Sequence, residues 1–597
     1  MFKPARLCFQ ARPFTYLLIA RSVVLVLGLG FCAACSAQSA GNPPTSPGDL
    51  RDDRSPWGVA TGAEWLNDYP KFNPMLRQAG IRWLRGFYEW QTIQPRPGEW
   101  NFVLPDRLLE NARSNGLHLT GMFAYFAPWA SADGGTRRFP IKDIRFWRDY
   151  VAALVTRYHS DIKYWEVWNE FNGSFAVDGS PEIYAELVRE AFISAKKIDP
   201  TAKIGMSVAN FDVRFLDATI KAGAANHFDY ICVHPYEILA GLRQGGEPAF
   251  LNMTTTLRKM LDANRQSADT PLWITEIGAL APVKRDDVED QAQAVALAKA
   301  YLLSIVAGFQ RVFWFEARGP SYGDGKDHGL IRSDMTARPS LDALGVLTAA
   351  LGAEPTSAGW LDFGEGAFAF AFNNGGKAVL GAWAGAKRKV NVVFDGDVRL
   401  LSLKGESTTL RAGDSLTLTD TPVLIEGLPA ALVEKARAQQ KQPFPWKVDY
   451  QGAELATLLL GERNIGTGIR SINQDTTIAD REWRRLDFSR SDKEGHYVYF
   501  WVDPQFAGLE AKSIEVTTVV KRVATDKQAG LSIDYESSRG YVGTDYRNIP
   551  ASDAWQELSW ALKDTSFAGA WGWSFRINAI SSPNEFLIKE VRIRKIR

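Results

Sequence analysis

Between Trp57 and Leu351 short apolar runs alternate with amphipathic helical stretches, and this alternation limits the possible folds more than any other feature of the chain. Strands separated by helices run parallel, because a parallel neighbour needs a crossover of a dozen or more residues. Strands are expected near Trp57–Ala60, Trp83–Gly86, His118–Phe123, Tyr164–Trp168, Lys203–Val208, Tyr230–Val233, Leu272–Thr275 and Arg311–Phe315. Eight strands over about 260 residues have the count and length of a (β/α)8 TIM barrel, an α/β fold. Ser180-Pro181 supplies an N-cap and a first-turn proline for one of the helices. Ile183, Leu187, Ala191 and Ile198 give that helix an inward stripe, and Asp199-Pro200 ends it. A doubly wound open sheet would require a Gly-rich phosphate turn after an early strand, and the sequence has none.

After Leu351 the apolar period changes. Ala367-Phe-Ala-Phe-Ala-Phe372 and Ala378-Val-Leu-Gly-Ala-Trp383 flank the turn Asn373-Asn-Gly-Gly376, as expected of a small antiparallel β domain. The expected organisation is a barrel over 56–352, a small antiparallel β domain over 353–430, a polar and partly helical linker over 431–445, and a C-terminal β-sandwich, jelly-roll-like, over 446–597. For that sandwich, a carbohydrate-binding module and a structural appendage are both open readings.

The N-terminus reads as a targeting segment. Lys3, Arg6, Arg12 and Arg21 occur with no acidic residue before Asp49, and an apolar run to Phe31 follows. Two small residues before Cys35 resemble a bacterial lipoprotein box, which makes 1–35 a lipoprotein-type signal peptide and 36–55 a Pro-rich tether. Cys32 stands where that box usually has Leu, so ordinary cleavage near Ala40 stays open. The expected location is the periplasm or outer membrane as a lipoprotein, with Ser36 favouring the outer membrane by resemblance, or otherwise the secreted fraction. Of four cysteines, only Cys232 lies beyond the signal region, which argues against disulfide stapling and for a buried thiol.

The chain has 597 residues and a formal net charge of +1, so it lacks the basic excess of a nucleic-acid binder. Its 20 Trp must be buried in cores or stacked on flat ligands such as sugars.

The chemistry concentrates where strands end. Trp165-Glu-Val-Trp-Asn-Glu170 and Trp273-Ile-Thr-Glu276 each read as a core strand that finishes on a carboxylate, which is costly unless paired or used. Arg85 at the end of the second strand is placed to keep a neighbouring glutamate ionised. Asn169 could bond a sugar hydroxyl, and in His234-Pro-Tyr236 the Tyr236 hydroxyl could donate to the same carboxylate. Trp314 on the eighth strand would offer a ring floor, and Trp129 is a candidate cleft platform, as are Trp65, Tyr88, Trp90, Tyr125 and Tyr322. Glu166 reads as a barrel-interior ion pair.

Together, Trp165–Glu170, Val233-His-Pro-Tyr236, Trp273–Glu276 and Val312-Phe-Trp314 resemble a retaining glycoside hydrolase of clan A, most like the family 39 type and neighbouring family 5 type, including bacterial exopolysaccharide-processing hydrolases. The resemblance covers about Trp57 to Gly427. It implies Glu276 as nucleophile, Glu170 as acid/base, Arg85, Asn169, His234, Tyr236, Trp314 and Trp129 as substrate-binding residues, and no metal or cofactor. The implied partner is a β-linked polysaccharide or oligosaccharide, with membrane contact through the lipid anchor only. The alternatives are a non-catalytic carbohydrate-binding lipoprotein and a transglycosylase of exopolysaccharide assembly.

Overall fold

The computed structural model of the chain describes residues 54–596 apart from 63–65, 87, 138–140, 320–324, 387, 443, 445–452, 461–464, 472–496, 505, 510–511, 524–525, 527, 568–572 and 583–584. The signal, lipid cysteine and most of the tether expected over 1–55 lie outside the described residues, as do Trp65, Tyr322 and the side chain of Tyr88. Among the described residues no helix is long and apolar enough to cross a membrane.

Eight parallel strands form the barrel: β1 (Trp57–Ala60), β2 (Trp83–Arg85), β3 (His118–Ala124), β4 (Tyr164–Val167), β5 (Lys203–Ala209), β6 (Tyr230–His234), β7 (Leu272–Ile277) and β8 (Arg311–Phe315). Each pairs with its neighbours in chain order, and β1 with β8 and β2 with β3 complete the ring. A helix follows each strand: α1 (Tyr69–Gln78), α2 (Val103–Ser114), α3 (Ile144–Tyr158), α4 (Pro181–Ile198), the short α5 (Val213–Thr219), α6 (Glu247–Ala263), α7 (Asp287–Ala307) and α8 (Pro339–Leu351). The Ser180 hydroxyl accepts from the Ile183 N–H at the start of α4, with Pro181 in the first turn.

Side chains alternate between the barrel interior and the helix layer, and the two sets form separate clusters. Ala60, Trp83, Tyr230, Cys232, Trp273 and Phe313 pack together inside. Arg311, at the start of β8, lies over the rings of Trp83, Tyr164 and Trp273 at 4.2, 4.4 and 4.3 Å, a cation enclosed by π faces at the lower end of the barrel. Trp57, Val59, Val312 and Trp314 belong instead to the large cluster shared with the helices.

Thr356–Trp360 opens a six-stranded antiparallel sheet, with Ala367–Asn374 and Lys377–Ala384 paired across the expected Asn-Gly turn. The segment expected as a linker contains helix α9 (Ala430–Gln439), which packs on this sheet through Ala436 and Leu432. Gly359 makes that seating possible. Its φ is +110°, and a Cβ there would stand 1.8 Å from the Ala436 carbonyl oxygen. From Leu455 a largely antiparallel path of strands folds around one core, with Val516 and Ile593 from one half meeting Phe500 and Ile577 from the other.

This C-terminal sheet docks on the barrel. Tyr499 and Trp501 pack against Ala249 of α6, Asn252 donates to Asp503 at 3.3 Å, and Arg214 pairs with the buried Glu536 at 3.2 Å. Replacing Gly359 with Ala should destabilise the protein by about 2 kcal/mol or more, through a strained left-handed backbone and an unseated α9. A denaturant midpoint equal to that of the wild type would show that this contact is not needed.

Candidate active site

Arg85 ends β2 pointing into the barrel, in register with Ala60 of β1 and Thr120 of β3. Its guanidinium is fully buried and makes four hydrogen bonds to oxygen. Nε and Nη2 grip both oxygens of Glu166 at 2.8 and 3.0 Å, Nη1 donates to Glu276 Oε1 at 2.5 Å, and Nη2 also donates to Asn169 Oδ1 at 2.8 Å. An arginine can only donate, so the last contact fixes the Asn169 amide with its oxygen toward Arg85 and its NH2 directed away.

The two strand-end glutamates reach the mouth by different local devices. After Val167 the chain turns out of the sheet with Trp168 and Glu170 both left-handed, at φ 63° and 51°. Such conformations are costly for non-glycine residues and persist only when neighbours enforce them. Here the enforcement is visible. Trp168 is bonded through its backbone N–H to Phe123 and through its indole to the Phe175 carbonyl, and the Tyr184 hydroxyl of α4 holds the Val167 carbonyl at 2.7 Å.

In β7 strict alternation would send Thr275 inward and Glu276 outward. The pairing of β7 with β8 shifts register between Ile274 and Ile277, so the strand carries an extra residue there. A bulge of this kind re-aims side chains. Thr275 and Glu276 both contact groups of the interior: Thr275 donates to Glu166 at 3.2 Å, and Glu276 Oε2 accepts from the Tyr236 hydroxyl at 2.9 Å.

His234, at the end of β6, is fully buried and bridges the cluster. Nδ1 lies 2.9 Å from Glu170 Oε1 and Nε2 lies 3.0 Å from the Thr275 hydroxyl. Burial opposes its charge, but the carboxylates Glu276, Glu166 and Glu170 outweigh that, lifting the imidazole to about 9. It therefore carries both protons at neutral pH, donating on one side to Glu170 and on the other to Thr275, which passes its own proton toward Glu166. For Glu166, burial is again opposed and overcome, here by Arg85 and His234, and its carboxyl is held down at about 2. Burial and the charges of Glu276 and Glu170 push the Tyr236 phenol well above its ordinary range, so it remains a donor. Burial likewise raises the Cys232 thiol, which sits inside the barrel as an inert apolar group.

Arg85, Asn169, Glu170, His234, Tyr236 and Glu276 therefore meet in one cluster, with Glu166 beneath it. Glu170 is the most open of the three glutamates, its side chain 18% exposed against 10% for Glu276 and 1% for Glu166, so it is the carboxyl that a ligand or water can approach. Donor atoms of Glu170, His234 and Glu276 lie within 4.8 Å of one another, and this is the one grouping of metal-ligand type among the described residues. A cation there would need a neutral imidazole.

Two expected residues lie elsewhere. Trp314 is fully buried in the helix-facing cluster, with its indole bonded to the His328 carbonyl at 3.1 Å. On β8 the residues that face inward are Arg311, Phe313 and Phe315, and the half-buried Phe315 is the ring beside Tyr236, at 6.4 Å. Strand parity with Arg311 was the available signal. Trp129 packs edge-on against Trp90 and Phe146 and donates to the Gln94 carbonyl at 2.8 Å, which makes it part of a loop core rather than of the cluster. Trp90 is buried in that same core. Tyr125 is a member of the site wall, stacked on Phe175 and edge-on to Trp168, with the Arg137 guanidinium 4.5 Å above its ring.

No family model matches the chain. Among solved structures it is similar to a family 39 glycoside hydrolase from Bacteroides cellulosilyticus, at 21% identity and a TM-score of 0.54, over 63% of this chain and 81% of that one. The two share the barrel fold. A glucosidase from Croceicoccus marinus aligns over 91% of this chain and 97% of its own, at 14% identity and a TM-score of 0.42. A family 30 endoxylanase from Clostridium papyrosolvens aligns over 64% of this chain and 98% of its own, at 15% identity and a TM-score of 0.45. The family 39 and family 30 neighbours are clan A glycoside hydrolases. A curated relative, an endo-1,4-beta-xylanase/feruloyl esterase from Xylanibacter ruminicola, is 26% identical over 172 residues, and the match spans 26% of this chain and 23% of the relative.

The two shifted groups give opposite pH dependences. His234 is raised from 6.5 to about 9, so its contribution to stability is complete below pH 6.5 and is lost as pH rises through 9. Glu166 is lowered from 4.5 to about 2, so its contribution is complete above pH 4.5 and is lost as pH falls through 2. Thermal midpoints of wild type and His234→Gln, measured from pH 5 to 10, should therefore converge toward the alkaline end. A constant gap would mean that His234 is not charged in the folded protein.

Proposed function

We propose that the protein is an exported glycoside hydrolase that cleaves a β-linked polysaccharide or oligosaccharide with retention of configuration. The observation that carries this reading is that one oxygen of Glu170 and one of Glu276 lie within 4.8 Å of each other across the barrel mouth, which favours the shorter of the two known carboxyl spacings. A retaining pair stands roughly 5–5.5 Å apart, whereas an inverting pair needs about 6.5–9.5 Å to admit a water between them.

The surroundings of the two glutamates support unequal roles. Glu276 Oε1 and Oε2 are met by Arg85 and Tyr236, donors that orient a carboxylate for attack on an anomeric carbon. Glu170 is the open carboxyl, placed to give a proton to the departing glycosidic oxygen and then take one from the incoming water. Once its proton has gone, the anion is met by the Nδ1–H of His234, which is held by Thr275 and needs no rearrangement. The Asn169 NH2, turned away from Arg85 and toward the Tyr125 hydroxyl, has a second proton for a sugar hydroxyl. Phe315, rather than Trp314, supplies the ring of the floor.

Glu276→Gln should abolish turnover of a glycan panel (xylan, glucomannan, mixed-linkage β-glucan and bacterial exopolysaccharides) while leaving the thermal midpoint close to wild type. Glu170→Ala should slow substrates with poor leaving groups by about 100-fold or more and activated aryl glycosides far less, since only the former need an acid. Near-normal turnover by Glu276→Gln would sink the mechanism, and equal losses across leaving groups would sink the acid assignment.

Export and anchoring through Cys35 form part of the same reading, supported by the basic N-terminus, the apolar run and the small residues before Cys35. Cys35→Ala should move the protein from the membrane pellet to the soluble exported fraction, and unchanged fractionation would remove the lipid anchor.

A further inference from the structure

The loop between β3 and α3 brings a cation to the site wall without a counter-charge. Arg137 is exposed, and its guanidinium lies 4.5 Å from the centre of the Tyr125 ring and 4.8 Å from that of Phe175. The two rings are themselves stacked, 5.7 Å apart and 6° from parallel. Among the described residues the guanidinium has no hydrogen bond and no carboxylate partner, and ring faces are all that hold it. Arg145 and Arg157 on the following helix are compensated in the ordinary way, by Asp143 and Asp106.

The backbone fixes this cation in place. The Thr136 carbonyl accepts from the Phe126 N–H at 2.8 Å, and the Arg137 carbonyl accepts from the Val177 N–H at 2.7 Å. Arg137 is therefore tied on one side to the exit of β3 and on the other to the loop after β4. That loop is the continuation of the Glu170 turn: the Glu170 carbonyl accepts from Gly173, and the Phe175 carbonyl accepts from the Trp168 indole. Contact with ring faces positions a guanidinium by its charge and leaves its five N–H donors for a ligand.

Tyr125 connects Arg137 to the reacting carboxylates. Its buried hydroxyl bonds Asn169, and the charges of Arg137, Arg85 and Glu276 all bear on it. The guanidinium is thus one aromatic ring away from Asn169. To a fork of free N–H donors a sugar hydroxyl offers one acceptor atom, whereas a carboxylate offers two together with the opposite charge.

We propose that Arg137, on its platform of Tyr125 and Phe175, is a subsite for the carboxylate of a uronic acid, and that the substrate is an acidic β-glycan. This rests on the glycosidase reading and narrows its substrate class. The intervening Tyr125 ring puts the carboxylate outside the reacting subsite, on a neighbouring unit of the chain or on a branch from it.

The test uses glucuronoxylan, gellan and hyaluronan, each beside its own carboxyl-reduced form, in which the uronic acids have become neutral hexoses. Glucuronoxylan carries its uronate on branches and the other two carry theirs in the main chain, so the pairs also distinguish these two sources. Values of kcat and KM are measured for wild type, Arg137→Ala, Arg137→Gln and Arg137→Lys, with thermal midpoints alongside. On at least one pair wild type should favour the acidic member by about tenfold or more in kcat/KM, and Ala and Gln should lower that preference by about tenfold, chiefly through KM, with Lys keeping part of it. Equal turnover of both members of every cleaved pair by wild type overturns the proposal. A preference that survives Arg137→Ala, a loss that is equal on both members, or turnover confined to neutral glycans does the same. In each of those cases the protein still cleaves glycans and the glycosidase reading stands. Wild type inert on the acidic polymers, their reduced forms and the neutral glycans removes that reading, and the proposal with it.

Discussion

Arg85 is a cation with almost no access to water, and the geometry of the barrel mouth follows from how that charge is compensated. Burying an unpaired guanidinium would be prohibitive, so the fold surrounds it with two carboxylates and an amide oxygen drawn from β4, β7 and the turn after β4. Glu166 neutralises it from below through two parallel bonds. That leaves its outer face to orient Glu276 and Asn169, the groups exposed to a ligand. From Glu166 the hydrogen bonds continue through Thr275 and His234 to Glu170. The two glutamates of the mouth are thus tied to opposite ends of one interior chain of donors and acceptors. A displacement at any link is felt at both carboxyls, which gives the constellation a stiffness that a pair of glutamates on loops would lack.

Much of this was legible in the sequence because it depends on pattern. Eight apolar runs separated by helix-sized stretches fix a closed parallel barrel, and the strands lie within a residue or two of their expected places. The glutamates, Arg85, Asn169, His234 and Tyr236 stood at strand exits, where barrel topology brings them to one rim. What failed did so for local reasons. Trp314 was read as a floor because it is aromatic and late in β8, but side chains alternate, and Arg311 over the lower rings sets a parity that puts Phe313 and Phe315 inside. Trp129 follows β3, yet its surroundings are Trp90 and Phe146, contacts that no single-residue argument reveals. The left-handed turn at Trp168 and Glu170 was also invisible, because neither residue type advertises that conformation.

The C-terminal sheet changes what the high tryptophan content means. Tyr499 and Trp501, with Tyr497 and Trp573 beside them, face α6 of the barrel instead of solvent. Aromatic residues that composition alone would credit to glycan contact are here the adhesive between a sheet and a helix. The same holds for Trp383, whose indole bonds Glu247 at 3.1 Å beside the buried Lys299–Glu247 pair and so joins the antiparallel sheet to α6 and α7. Both all-β regions are thereby joined to the helix layer of the barrel.

The bulge in β7 has a bearing on how such a chain can change over time. A version of β7 one residue shorter would pair with β8 without interruption, and its ladder would be the more regular of the two. Such a strand would have a single inward side chain opposite Phe313, so Thr275 and Glu276 could no longer both meet the interior cluster. Regular pairing and the delivery of two adjacent side chains to the interior are therefore in opposition along this strand, and a deletion within the bulge would exchange the second for the first.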